Sequence, residues 1–463
     1  MALTRKGAKA LDMTKGSALR LLVSFTIPTL LGNLLNQVYS ITDSIIVGRV
    51  LGQTALAAVG VCMPIIFLTA SLVFGLNLGI GIIFSQCVGK KDLVQMRSVF
   101  ANGIYMGLIL GVAMIVVGLP IAAPVLRLMG TPEGPMQEAA SYMRVNFATS
   151  LFPVFYFLFS NVARGMGDSY TSLYCLILSV VSNIALDFLF VAGLGLGVAG
   201  SAWATALAQL LSAVFALIML YVKYPEIRLK RVDLRPDGSM FKRIFSLAFP
   251  ISLQSAFNNF GNVVVQSAIN GFGEAVMAAY TAAGRLGTLA LMPVETVGSS
   301  LSFYAGQNYG AKKYRRVSEG VRAALVIDLV VSVVLGGLLL AFGRSMTLLF
   351  LEDAGEEILR TASSYLLYAA VPGILYGVMQ VYQQVLRGVN HVRPSVIGGF
   401  MQLGTKVLVA AIGAWVLKDL TVVWIAWPVS YVMGTLLPYA AYRIRIRKLV
   451  QEEDEQPTEA AAV

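Results

Sequence analysis

Long apolar runs, interrupted at short intervals by clusters of Gly, Asn, Lys and Arg, fill the chain from Leu19 to Tyr442. A helix needs about 20 residues to cross roughly 30 Å of hydrocarbon. Twelve runs meet that length, near 20–46, 54–86, 98–120, 138–163, 170–192, 197–222, 243–270, 275–308, 318–343, 360–386, 394–416 and 420–442. The pattern predicts an all-α membrane protein of about twelve transmembrane helices. The runs at 54–86 and 275–308 exceed a simple span, so tilt or extension past the bilayer is expected there.

Composition points the same way. Of 463 residues 57% are hydrophobic and 13% charged, with mean hydropathy +0.75, against about a quarter charged in soluble domains. The formal charge of +11 does not indicate nucleic acid, because no polar domain exists to carry a basic stripe. The basic residues instead punctuate the apolar runs. With both termini inside, 27 of the 35 Lys and Arg fall on the cytoplasmic side, as the positive-inside rule requires. The seven outside are Arg49, Arg127, Arg144, Arg285, Arg344, Arg360 and Lys418, the last flanked by Trp415, Trp424 and Trp427. A multi-pass protein of the inner or plasma membrane is therefore expected. Its first helix serves as an uncleaved anchor, since no small-residue cleavage site follows it. Cys62, Cys87 and Cys175 sit within apolar stretches and read as small apolar side chains.

The chain also repeats itself. LGQTALAA at 51–58 aligns with FGEAVMAA at 272–279, QCVGKK at 86–91 with QNYGAKK at 307–313, and VARGMGD at 162–168 with VLRGVNH at 385–391, at shifts of 221 to 223. Three echoes in one order at a nearly constant offset indicate duplication. The expected organisation is a cytoplasmic segment 1–19, an N-lobe 20–222, a basic linker 223–242, a C-lobe 243–442 and a disordered cytoplasmic tail 443–463. Six helices return the chain to its starting side, so the lobes should be related by a pseudo-two-fold axis along the membrane normal, with a substrate path between them.

Ionisable groups inside the hydrocarbon cost at least a few kcal/mol, so those retained line a cavity, pair or work. Four stand out: Asp43, Asp187, Glu295 and Lys406. Asn183 precedes Asp187 by four residues and shares its helix face. Two carboxylates, an amide oxygen and a hydroxyl such as that of Thr205 supply the hard oxygens a small cation takes. Held close in an apolar setting, one carboxylate would instead carry a proton. The coupling ion is thus H+ or Na+, with no other metal and no cofactor expected. Under the repeat shifts Asp43 maps to Val264 or Val265, Asn183 to Lys406 and Asp187 to Ala410, which places the cation site in the N-lobe alone. Asn36, Tyr39, Asn258, Glu295, Tyr376, Gln380 and Lys406 are the candidates for the substrate cavity. Pro28 removes a hydrogen bond in the first span and is the candidate hinge, although Pro250 repeats it in the seventh.

IPTLLGNLLNQVYSITDSIIVGRVLG, GQNYGAKK, ARGMGDSYTSL and SNIALDFLFVAGLGLGVAGSAWAT together resemble the multidrug and toxic compound extrusion family, within the superfamily that includes lipid-linked sugar flippases. The likeness spans roughly 15–445. It implies an N-lobe cation or proton site at Asp43 and Asp187, accompanied by Asn183 and Thr205, and a first helix that changes its bend as that site fills. Some branches carry acidic residues where this chain has Asn258 and Tyr376, which weakens transfer of a C-lobe sodium site.

The function expected is secondary active efflux of small amphipathic or cationic compounds in exchange for H+ or Na+, by alternating access of a monomer in the lipid bilayer. The alternative is a flippase for lipid-linked oligosaccharides or other lipids, for which Lys406 alone is thin support. An enzyme is not expected. The one histidine is His391, and GLGVAG at 195–200 joins two membrane helices and lacks the strand a nucleotide-binding loop needs.

Overall fold

The computed structural model describes residues 10–348 and 355–455. Among them are fourteen α-helices and no strand: α1 (Ala18–Leu51), α2 (Gln53–Lys90), α3 (Leu93–Leu128), α4 (Glu133–Ala148), α5 (Leu151–Gly165), α6 (Ser169–Asp187), α7 (Gly197–Lys223), α8 (Gly238–Asn270), α9 (Glu274–Gly310), α10 (Tyr314–Leu348), α11 (Glu356–Tyr365), α12 (Gly373–Gly388), α13 (Val392–Ala411) and α14 (Leu420–Glu455). π-helical turns follow α6 (Phe188–Gly193), α11 (Leu366–Ala370) and α13 (Ile412–Leu417). Among the described residues ten helices, taken with their π turns, are long and apolar enough to cross a bilayer, and the bent pair α4 and α5 makes an eleventh. Large apolar side chains such as Val116, Val181, Ile218, Leu340 and Leu408 stand exposed on helix flanks, as lipid contact demands. The chain is a multi-pass helical membrane protein. α8 has the length, 33 residues, but Gln254, Asn258, Asn259 and Asn262 make it less apolar.

Two apolar runs are broken rather than continuous. The 138–163 run bends by 48° between α4 and α5, because the ring of Pro153 meets the carbonyl four residues earlier, at Thr149. The 360–386 run is interrupted by the π turn Leu366–Ala370 ahead of Pro372, which likewise cannot donate back to the preceding turn.

The chain forms two compact units. One takes Ile27–Ala256 with the stretch ending at Asp12; the other takes Met13–Thr26 and everything from Phe257 onward. Each carries the same local devices. Left-handed positions fall at Gly52 and Gly273, Lys91 and Lys312, Gly167 and Asn390, Gly195 and Lys418, each pair offset by the 221 or 223 found in the sequence. In unit 1 the Arg164 Nε donates to Ser172 Oγ at 3.0 Å; in unit 2 the Arg387 Nε donates to Ser395 Oγ at 3.1 Å. A Cβ on Gly165 would lie 2.9 Å from the Gly81 carbonyl oxygen, and one on Gly388 would lie 2.6 Å from that of Ser302. Glycine is required at both because two helices approach backbone to backbone.

The peripheral segments are more ordered than the sequence suggests. Before α1, the Met13 N–H donates to Gln307 Oε1 (3.1 Å), Asn308 Nδ2 to the Met13 carbonyl (3.0 Å) and Lys313 Nζ to the Thr14 carbonyl (3.0 Å), all within unit 2. The linker is shorter than 223–242, because α8 begins at Gly238, where the Asp237 carboxylate caps it through the Ser239 and Met240 N–H groups. The tail expected to be disordered from 443 is helical to Glu455, an extension of α14 tied down by Glu453 and Asp454 accepting from the Arg315 main chain (2.8 Å) and guanidinium (2.7 Å). Residues 456–463 of that tail lie outside the described residues. All three cysteines are buried and free.

Candidate functional site

Three helices of unit 1 build the first site. Asp43 sits late in α1, Asn183 and Asp187 one turn apart at the end of α6, and Ser201 and Thr205 one turn apart on α7. The i, i+4 spacing puts each pair on one helix face, so five side chains meet. Ser201 Oγ donates to Asp43 Oδ1 at 2.8 Å, and the Asp43 and Asp187 carboxyl groups are in electrostatic reach of each other. Asn183 Nδ2 donates to Thr205 Oγ1 at 3.2 Å, and that hydroxyl is 2.9 Å from the Tyr39 phenol. Asp187 and Asn183 are buried, and among the described residues no donor reaches either oxygen of Asp187 or the Asn183 Oδ1. Buried oxygens are normally satisfied. A cluster of three left without donors, beside a second carboxylate, matches a small cation or a proton held between carboxyls.

The arrangement is set in apolar surroundings. Ala55, Ala58, Cys62, Tyr142, Val198 and Ala202 form a buried cluster at the same end of the unit, with the Tyr142 phenol in electrostatic reach of Asp43. On the other flank, Asn33, Asn36, Tyr39, Tyr156, Asn183 and Thr205 are among the residues lining a cavity of about 90 Å³, room enough for several waters. Asn36 and Tyr39, expected in a substrate cavity, thus share one with Asn183 and Thr205.

In unit 2 the expected cavity residues are brought together in part. Gln380 Nε2 donates to the Tyr376 hydroxyl at 2.7 Å, and the Tyr376 ring lies 5.1 Å from that of Tyr431. Glu295 is exposed on α9 with the buried Arg387 as its electrostatic partner. Lys406 is buried. Its Nζ donates to Asn262 Oδ1 at 2.7 Å and lies 5.7 Å from the centre of the Trp427 ring. Asn258 is half-buried on α8. Pro28 lies inside an unbroken α1, two residues past the point where that helix passes from one unit to the other.

Sequence reasoning missed Ser201, which carries no signal in GVAGSAWAT. It also missed Asp328, whose signal is plain in ALVIDLVVS: a lone carboxylate in an apolar run. Asp328 is 2% exposed and no donor reaches either of its oxygens among the described residues.

Duplicated six-run units in an apolar helical chain, one holding a buried Asp187 beside the half-buried Asp43, define a membrane protein of the transporter class. Residues 28–189 and 250–412 match the MatE family model, and the chain belongs to that family, multidrug and toxic compound extrusion, whose members are transporters and not enzymes. The two matched stretches are themselves offset by the repeat shift. Over 454 residues, 95% of this chain and 97% of the relative, it is 30% identical to the probable multidrug resistance protein YoeA of Bacillus subtilis (strain 168). It is 24% identical over 389 residues, 84% of this chain and 85% of the relative, to the multidrug export protein MepA of Staphylococcus aureus (strain NCTC 8325 / PS 47). Among solved structures it resembles an outward-facing multidrug resistance MATE transporter (TM-score 0.89, 24% identity, covering 96% of this chain and 100% of that one). It also resembles a transporter from Pyrococcus furiosus described as having a binding pocket of reverse polarity (TM-score 0.88, 24% identity, covering 96% and 99%).

Proposed function

We propose that this protein is a secondary active exporter of small amphipathic or cationic compounds, driven by inward movement of H+ or Na+ through the Asp43 and Asp187 site. Supporting this reading are the relatives named for multidrug resistance and export. The single observation that carries the coupling is the donor-free pair of Asp187 oxygens beside Asp43. Two carboxyl groups this close in an apolar bundle cannot both stay charged without a counter-ion. Loading a cation or proton neutralises them, and emptying the site leaves charge that only a wetter arrangement of α1, α6 and α7 tolerates. The ion therefore has different affinities for two conformations, which is what coupling requires.

In this reading α8 is the twelfth span, and each duplicated unit is a six-helix lobe of a transporter that works by alternating access. Both termini face the cytoplasm, following the distribution of Lys and Arg, and the monomer is the working form. Pro28 lets α1 change its bend as the site fills. The Tyr376 and Gln380 pair, Glu295 and the cavity beside Asn36 and Tyr39 offer aromatic and polar contacts to substrate. A flippase reading is not favoured, since Lys406 is engaged by Asn262 and offers no free cationic site for a phosphate headgroup.

The test is movement of a fluorescent organic cation into proteoliposomes holding the purified protein, with sodium and pH gradients imposed separately. Accumulation that follows one gradient is expected and names the ion. Equal movement with either gradient or with none would overturn coupled export.

A further inference from the structure

Unit 2 holds a second buried carboxylate that the carboxylate pair in unit 1 leaves unexplained. Asp328 lies in the middle of α10, 2% exposed, and Ser332, one turn on, is 5% exposed. Among the described residues neither Asp328 oxygen nor the Ser332 Oγ has a hydrogen-bond partner, and no Lys or Arg nitrogen lies within 4 Å of the carboxylate. The two side chains face the start of α12. A Cβ on Gly377 would meet Asp328 Cβ at 3.0 Å and Oδ2 at 3.2 Å, and one on Gly373 would meet Ser332 Oγ at 3.3 Å.

The repeat shows that this seam is fitted around the acid. At shifts of 221 and 223, Asp328 and Gly377 correspond to Gly107 and Val154, while Ser332 and Gly373 correspond to Gly111 and Ser150. In unit 1 a Cβ on Gly107 would touch Val154 Cγ1 at 3.0 Å, and Ser150 Oγ donates to the Gly111 carbonyl at 3.0 Å. Large and small residues have therefore exchanged sides at two successive turns. Unit 1 keeps its glycines on α3; unit 2 keeps them on α12 and gives the space to Asp328 and Ser332.

A carboxylate buried this deeply, with no donor or cationic side chain against it, cannot remain charged in such a place. The titratable groups facing it are few. Among the described residues the one in electrostatic reach of Asp328 is Tyr376 on α12, which is itself in reach of Glu295 on α9 and Tyr431 on α14. Tyr376 is also the hydroxyl that Gln380 holds. Directly before these glycines the chain makes the π turn Leu366–Ala370 and then Pro372, both points where a helix bends readily.

We propose that Asp328 is a second proton-binding site, in unit 2, that holds its proton while α10 packs against Gly373 and Gly377 and releases it when the start of α12 swings away and admits water. The proposal rests on the ion-coupled reading above and adds a proton to the cycle beyond the Asp43 and Asp187 site. Because Tyr376 adjoins both Asp328 and the expected substrate residues, substrate arriving at Tyr376 and Gln380 would bias this opening.

The test needs no transport. Infrared spectra of the purified protein carrying Asp43→Asn, Asp187→Asn and Glu295→Gln, recorded across pH, report any remaining protonated carboxyl in apolar surroundings. A carboxyl band that is lost as pH rises, and is missing once Asp328→Asn is added, is expected. No such band, or one unchanged by Asp328→Asn, would overturn the proposal. Should Asp328→Asn not fold, the double variant Asp328→Gly with Gly377→Val rebuilds the unit 1 packing and must remove the same band. In proteoliposomes that show proton-driven uptake, the protons moved per substrate should fall by about one in Asp328→Asn, and an unchanged ratio would contradict the proposal. If the parent shows no gradient-driven uptake, coupled export fails while the infrared result still decides whether Asp328 binds a proton.

Discussion

The same place in the two units has been filled with opposite chemistry. In unit 1, Asn183, Asp187 and Ser201 gather around Asp43 and leave oxygens without donors. At the matching positions unit 2 has Lys406, Ala410 and Trp424. Lys406 is closed onto Asn262 and the Trp427 face, and Trp424 stacks on Tyr280 at 6.0 Å and meets Tyr365 edge-on at 5.1 Å. Tyr142 and Tyr365 are themselves repeat partners, yet one faces a carboxylate and the other an indole. The backbone devices were kept through duplication, while the polar interior diverged. A duplicated fold can thus keep its turns and close helix contacts while the polar side chains at matching positions change character.

Removing the acid from unit 1 should have the largest effect. Asp187→Asn or Asp43→Asn is expected to lower gradient-driven uptake by about tenfold or more, with normal accumulation of protein in the membrane; an equal loss from Lys406→Met would erase the distinction between the units. Next, Gly165→Ala and Gly388→Ala probe what the units share. Each puts a methyl against a backbone carbonyl, so each should destabilise by about 1–3 kcal/mol, read as a lower melting temperature in detergent. A loss in only one would show that the repeat geometry is not equivalent. Lys406→Met should leave the ion dependence intact and destabilise the protein by about 1–3 kcal/mol, since Asn262 loses its charged hydrogen bond; a shifted ion dependence would show that Lys406 itself takes part in coupling. The smallest effect concerns Asp237. Hydrogen bonds from Ser239 and the Met240 N–H hold its carboxyl below the usual carboxylate range. A depressed value means the cap stabilises the fold above the unfolded value and is lost as pH falls through the folded one. The parent should accordingly lose slightly more stability on acidification than Asp237→Asn, measured by thermal unfolding at neutral and acidic pH.

Much of this was legible in the chain. The apolar runs locate ten span-length segments and the bent pair α4 and α5, because hydrocarbon tolerates no unpaired backbone, while the run at 243–270 is helical but less apolar. The duplication shows because turn residues recur at fixed offsets. Asp43, Asn183 and Asp187 announce themselves as polar groups in apolar runs, and Asp328 does so equally, though only its burial without partners shows its interest. Other features carry no local signal. Ser201 matters only because it reaches Asp43 from another helix, and Lys406 cannot be told from a free cation until Asn262 appears beside it. The helical tail depends on Arg315, 138 residues away from Glu453, a contact no periodicity encodes. The 48° bend between α4 and α5 falls at a proline, Pro153, that a count of apolar runs passes over.

The most direct test of the Asp43 and Asp187 coupling site is to compare substrate exchange with gradient-driven uptake in proteoliposomes containing Asp187→Asn. If Asp187 links ion to substrate, the variant should still exchange labelled for unlabelled substrate across the bilayer yet fail to accumulate it against an imposed sodium or pH gradient. Accumulation at the parent's level would contradict the assignment and place the driving ion elsewhere in the protein.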